Sequence, residues 1–136
     1  MSKRKKGILI LVLVIIVSVV AVLHFRPQTP LADLQADRIE TIFVYALPPE
    51  KKVVLTEEQS AEAVKLLQNL QISRKGYQLL GAGGQTVKFT LVGKDGMGWE
   101  VVNYGNAVIY IGGQPYKAEY HSAHALSTFA NQVITE

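Results

Sequence analysis

Glu119, His121 and His124 form the pattern Glu-x-His-x-x-His, one acid and two imidazoles close to the C-terminus. Two histidines three apart at a helix start could share a zinc ion, and imidazole is an available neutral ligand at neutral pH. The spacing is not the His-Glu-x-x-His cassette of zinc hydrolases, and no third strong ligand has a place beside it. The sequence favours surface histidines beside a helix cap, with no metal and no cofactor. A small envelope enzyme or zinc-site protein using Glu119, His121 and His124 is the alternative.

Other chemistries find less to work with. Gly81-Ala-Gly-Gly84 invites a phosphate cradle, but no Gly-Lys-Ser/Thr follows and the next element reads as a strand. A cradle needs a helix N-terminus to present its N–H groups, so a hairpin turn is the better reading. The chain has three histidines, one inside an apolar run, and no serine in an elbow motif. Its eleven acids fall mostly on turns and caps, and Glu58 and Glu62 form a solvated helix face rather than a catalytic pair. With no cysteine, thiol catalysis and thiolate metal sites are excluded. No catalytic residue is nominated, and the protein is expected not to be an enzyme.

Tyrosines are the remaining clue. Tyr104, Tyr110, Tyr116 and Tyr120 gather on a second hairpin and its surroundings. On an open sheet face they would make a partner surface; packed under a helix they would be core.

What positions these groups begins with Ile8–Phe25, an apolar run in which only Ser18 and His24 are polar. As a helix its eighteen residues reach about 27 Å at ~1.5 Å per residue, close to a hydrocarbon core of ~30 Å. Lys3, Arg4, Lys5 and Lys6 precede the run and only Arg26 closely follows it, so the positive-inside rule places the N-terminus in the cytoplasm. Val19-Val20-Ala21 resembles a cleavage site, and cleavage near Ala21 would release a secreted domain. The run is longer than a usual signal-peptide core, and bulky valines fill two of the three site positions. An uncleaved single-pass signal anchor fits better. No cysteine is present to lipidate. A pilin-like start is suggested by Lys6-Gly7, but Val12 stands where a glutamate is usual, and Pro27 and Pro30 stop the helix early.

The expected organisation is a cytoplasmic basic tail over 1–7, a transmembrane anchor over 8–25, a juxtamembrane linker over 26–37 and an extracytoplasmic domain over 38–136. Without the cations at positions 3–6 and 26, nine Lys/Arg stand against eleven Asp/Glu, so the exported part is near −2. The basic pI belongs to the membrane-flanking residues and is not a nucleic-acid footprint.

Within the domain, Arg38–Tyr45 reads as a strand rich in β-formers, and Pro48–Lys52 as a turn. Val53–Leu55 is a short strand or extended lead-in. Thr56 with Gln59 makes a capping box for an amphipathic helix Glu57–Leu70, with Ala63, Val64, Leu67 and Leu70 on its apolar stripe. Tyr77–Leu80 reads as a strand. Thr86–Gly93 and Met97–Tyr104 form the best hairpin, joined by Lys94-Asp95-Gly96 with glycine in the left-handed position. Partner numbers then sum to 190: Phe89 meets Val101, Leu91 meets Trp99 and Val87 meets Asn103 on one face, with Lys88 and Glu100 diagonal on the other. Ala107–Ile111 and Tyr116–Tyr120 flank a Gly112-Gly113-Gln114-Pro115 turn. A last helix, Ser122–Thr135, takes Ser122 as its N-cap.

The arrangement Leu55-Thr56-Glu57-Glu58…Val64-x-x-Leu67, then Phe89-Thr90-Leu91 with Lys94-Asp95-Gly96, then Ile109-Tyr110-Ile111-Gly112-Gly113-x-x-Tyr116 resembles small membrane-anchored or lipoprotein extracytoplasmic domains of Gram-positive bacteria. The likeness covers roughly Arg38–Val133, lacks the lipidated members' cysteine, and implies an envelope location without an activity or a site residue. The fold class expected is α+β: an N-terminal transmembrane helix, then a mainly antiparallel sheet of five or six strands covered by two helices. The function expected is a membrane-anchored binding or interaction module at the cell envelope, its partner an envelope protein or cell-wall component. An immunity-type protein is a further alternative.

Overall fold

The computed structural model describes residues 2–75 and 83–136. Its first helix, α1, spans Lys3–Phe25, with Ser2 as N-cap accepting a hydrogen bond from Lys5 N. Lys3–His24 is long and apolar enough to cross a membrane, and none of its apolar window is buried. β-branched side chains disfavour such a helix in water, but in lipid every backbone polar group must be satisfied within the segment.

The remainder is one antiparallel sheet carrying two helices. The strands are β1 (Ile39–Leu47), β2 (Lys51–Val54), β3 (Ile72–Lys75), β4 (Thr86–Gly93), β5 (Gly98–Tyr104), β6 (Val108–Ile111) and β7 (Gln114–Ala118). They lie in the order β2-β1-β4-β5-β6-β7-β3 with every neighbouring pair antiparallel. The class is the α+β one expected, with seven strands among the described residues rather than five or six. The short lead-in before the capping box is a full strand, because Lys51–Val54 pairs with Phe43–Ala46. The expected strand Tyr77–Leu80 and the first part of the Gly81–Gly84 turn lie outside the described residues.

Turn geometry decides which side chains meet. The β4–β5 register is the one read from the sequence, Phe89 opposite Val101 and Leu91 opposite Trp99, and Gly96 has φ +83°. Gly93 N donates to Met97 O at 2.9 Å and closes the loop. β5 and β6 turn at Gly105 and Asn106, both at positive φ. The β6–β7 loop is only Gly112-Gly113, both left-handed (φ +56° and +83°), the arrangement of a two-residue type I′ hairpin.

The inner face is apolar. Ile42, Val44 and Ala46 of β1 lie beside Leu91, Phe89 and Val87 of β4, then Val101 of β5 and Ile109 of β6, all fully buried. Two helices cover this face. α2 (Glu57–Gln68) starts at the expected capping box, with Gln59 N donating to Thr56 Oγ1 and Thr56 N donating to Gln59 Oε1. It buries Ala63, Val64 and Leu67 and ends two residues earlier than the sequence suggested. α3 (Tyr120–Thr135) buries Leu126, Phe129, Ala130 and Val133, and the Phe129 ring stacks on Phe89 at 6.3 Å.

α3 begins before the expected Ser122. Its N-cap is Glu119, whose carboxylate accepts from His121 N at 2.9 Å and Ser122 N at 2.8 Å. Ser122 Oγ instead accepts from Gln71 N. The strand expected over Tyr116–Tyr120 accordingly ends at Ala118.

Two polar residues among those described, Asn103 and Ser127, are buried in the core. Asn103 of β5 is fully buried, and its Nδ2 lies 2.9 Å from Ala123 O, 3.0 Å from Ser127 Oγ and 2.9 Å from Asn106 Oδ1. Its Oδ1 accepts from Asn106 N, and Ser127 Oγ donates to Asn106 Oδ1. Among the described residues no buried side-chain polar atom lacks a partner, as a low-dielectric core requires.

The segment expected as a juxtamembrane linker makes contacts with the domain. Gln28 forms a β-bridge with Ile72, its N donating to Ile72 O at 2.7 Å and its O accepting from Ile72 N at 2.8 Å. Leu31 and Leu34 pack on the core, Gln68 Nε2 donates to Leu34 O at 2.6 Å, and Ala36–Arg38 forms a 3-10 turn.

Candidate interaction surface

Because both helices take one side of the sheet, the strand alternation leaves the opposite residues on a second face. A row of paired residues crosses it from Lys52 (β2) through Tyr45, Lys88, Val102 and Tyr110 to Pro115 (β7). The parallel row begins Val54, Phe43, Thr90, Glu100. No described helix packs on this side. Val54 is 59% exposed and Tyr104 38% exposed, with Phe43, Tyr45, Val102 and Tyr110 half-buried.

Charge and ring contacts order the face. Lys52 Nζ lies over the Phe43 ring at 4.7 Å and Lys88 Nζ over the Tyr45 ring at 5.6 Å, within cation–π range. Lys88 also pairs with Glu100 at 3.7 Å, the diagonal contact expected from the hairpin register. The Tyr104 and Tyr110 rings meet edge to face at 5.2 Å, a favoured aromatic geometry. The β1 part of this face therefore presents Phe43 and Tyr45 with a lysine over each ring, and the β5–β6 part presents the Tyr104–Tyr110 pair.

The four tyrosines singled out in the sequence do not form one surface. Tyr104 and Tyr110 share the open face. Tyr116 pairs with the core residue Ile109 and packs against the core from the helix side. Tyr120 is the exposed first residue of α3. Phe43, Tyr45 and Lys52 belong to the open face and escaped the sequence reading, which placed Lys88 there through the hairpin register. Their signal lay in β1, where aliphatic Ile42, Val44 and Ala46 alternate with aromatic Phe43 and Tyr45.

The residues of the zinc alternative are engaged elsewhere. Glu119 spends its carboxylate on the α3 cap, and the N–H groups of Ser122 and His121 hold its pKa below the ordinary carboxyl value. The Tyr120 ring neighbours both imidazoles, edge-on to His121 at 5.7 Å and stacked on His124 at 5.4 Å. His124 Nδ1 lies 3.5 Å from Asn106 Nδ2. Among the described residues no group of three or more histidine, cysteine or acidic side chains is placed to hold a metal ion.

A shallow groove of about 620 Å³ opens on the helix side, between the 3-10 turn and the start of α2, lined by Asp37, Glu40, Leu55, Glu57 and Lys94 among others. It adjoins the cap rather than the aromatic face. No protein-family model, no curated protein and no solved structure matches the chain.

Proposed function

We propose that this chain is a membrane-anchored interaction module that holds its α+β domain outside the cytoplasm. There it binds a protein partner through the open face of the sheet, without catalysis. The observation that carries the reading is the pairing of an apolar N-terminal helix with a sheet whose second face displays Phe43, Tyr45, Tyr104 and Tyr110. Rings with few rotatable bonds bury much area at low entropic cost, and such residues concentrate in binding hot spots. Lys52 and Lys88, set against the single acid Glu100 in these rows, favour a partner with an acidic rim. The cationic N-terminal flank supports the N-in orientation, and the likeness to small envelope domains of Gram-positive bacteria accords with that compartment.

A photo-cross-linking residue at position 110, in the full-length chain and its native membrane, tests the reading. A discrete adduct is expected that disappears when Lys52→Glu and Lys88→Glu are added. Equal adducts from position 62, on the exposed side of α2, that ignore the charge reversals would sink it.

A further inference from the structure

The corner of the domain at which the anchor arrives is fixed by backbone hydrogen bonds. Arg26 caps the C-terminus of α1, and a single residue, Pro27, separates it from Gln28. Gln28 is bonded through both its backbone N–H and its C=O to Ile72 of β3, and Ile72 pairs with Ala118 at the end of β7. Two strand spacings of ~4.8 Å therefore place the end of β7 about 10 Å from Gln28. Just beyond it, Glu119 N donates to Gln71 O at 3.0 Å, and α3 opens with Tyr120. The two residues that join Arg26 to Gln28 span about 7 Å at most, so this corner cannot drift from the end of the apolar helix.

Two features of this corner have no role inside the domain. The Tyr120 ring is 57% exposed, yet it carries His121 edge-on and His124 stacked against it. His124 approaches Asn106 of the β5–β6 turn, so the three rings sit where the strands end rather than over the open face. Tyrosine and histidine combine an apolar body with a polar tip, and tyrosine is enriched at the membrane–water boundary. The second feature is a groove of about 410 Å³ at the exit of α1, lined by Leu23, Arg26, Pro27, Gln28, Thr29 and Pro30. It runs from an apolar residue of the span to a guanidinium and a hydroxyl. Those groups match an acyl chain followed by a phosphate, for which arginine is a strong hydrogen-bond partner. Glu119, beside Tyr120, is committed to the α3 cap.

We propose that this corner is a phospholipid-contact surface, with the Tyr120, His121 and His124 rings in the headgroup layer and Arg26 on a lipid phosphate at the exit groove. The proposal rests on the anchored reading above. The headgroup layer on one side of a bilayer is only about 5–8 Å deep, so it admits groups held close to the end of the span. The Gln28–Ile72 bridge and the Glu119–Gln71 bond hold Tyr120 there. The phosphate is common to zwitterionic and anionic phospholipids, so the contact needs no net charge on the lipid. A tether alone leaves a domain free to turn. A tether with a ring seated beside it fixes the posture of the domain and hence the direction in which the open face looks.

The test uses the full chain in phosphatidylcholine nanodiscs that carry a headgroup-nitroxide lipid as quencher. The chain has one tryptophan, Trp99. It lies five residues along β5 from Tyr104, about 17 Å from the strand ends at this corner. The unmodified chain therefore reports the far end of the sheet, and Tyr120→Trp in a Trp99→Phe background reports the corner. Strong quenching and blue-shifted emission are expected at 120, with little quenching at 99. Mixing in phosphatidylglycerol should leave the contrast in place, and adding Arg26→Gln should weaken the quenching at 120. His121→Trp in the same background repeats the measurement if the first variant loses its far-ultraviolet spectrum. Absent quenching at the corner, equal quenching at both ends, or indifference to Arg26→Gln overturns the proposal alone. A chain that fails to enter the disc overturns the anchored reading and this proposal with it.

Discussion

Asn103 on β5 and Ser127 on α3 meet at 3.0 Å across the helix–sheet interface, the Asn103 amide reaching Ser127 Oγ from a fully buried position. The contact fastens the last helix to the centre of the sheet through Asn106, which bonds to both. Asn103→Leu keeps the volume but strands Asn106 N and removes a partner of Ala123 O. A buried unsatisfied group costs about 1–3 kcal/mol, so urea unfolding should show a loss of about 3 kcal/mol. Ser127→Ala should cost about 1 kcal/mol, and the double variant should fall short of the sum, because both changes break one network.

The Glu119 cap gives an acid-side signature. Its folded pKa is lowered by the Ser122 and His121 N–H groups, relative to an unfolded value of about 4.3. Its contribution is therefore whole above the unfolded pKa and is lost as pH falls through the folded one. Glu119→Ala should cost about 1 kcal/mol near neutral pH and much less near pH 3. Urea midpoints at the two pH values measure the difference; an equal loss at both would refute the assignment.

Two glycines should respond differently to alanine. Gly96 and Gly105 both have positive φ, but a Cβ on Gly96 meets nothing, whereas one on Gly105 collides with the Gly83 carbonyl oxygen. Gly96→Ala should cost about 1–2 kcal/mol from backbone strain alone. Gly105→Ala should cost about 3 kcal/mol or more once overpacking is added. Thermal melts rank the two, and a reversed order would contradict the turn geometry.

The domain's stable boundary lies at its junction with α1. A fragment of residues 27–136 keeps the Gln28–Ile72 bridge and the packing of Leu31 and Leu34; one of residues 39–136 loses them. Two half-buried leucines at about 1 kcal/mol each and a pair of backbone hydrogen bonds at about 1 kcal/mol net make the shorter fragment about 3 kcal/mol less stable. Denaturant midpoints of the two fragments check this.

Orientation is read with an impermeant maleimide on Ser73→Cys in intact cells. Labelling in the membrane fraction is expected for an anchored outward domain. Label in the medium would mean cleavage, and label only after lysis an inverted chain.

The legible parts of the fold were those fixed by local chemistry. The capping box at Thr56 and Gln59 announces α2, and the three-residue loop with Gly96 dictates every pair in the β4–β5 hairpin. Sheet order was not legible, since β3 and β7 meet across a long stretch of chain that no spacing rule connects. Ser122 looked like a cap because a hydroxyl before an apolar stripe usually is one, yet the acid three residues earlier satisfies two N–H groups at once. The tyrosine surface came apart at Gly112-Gly113. In the β5–β6 hairpin paired residues have the same parity, which puts Tyr104 and Tyr110 together. The two-residue loop then inverts parity, so even-numbered Tyr116 turns to the opposite side.

An open sheet has two edges, and each unpaired edge is a template for another copy of the same strand. Confinement to a bilayer would concentrate copies in two dimensions and favour edge-to-edge polymerisation. At one end of this sheet Gln28 already occupies the pairing position outside Ile72. At the other, β2 is only four residues long and opens with Lys51 and Lys52. Lys51 reaches back to the Ile134 carbonyl of α3. Both edges are thus poor templates for the addition of a further strand.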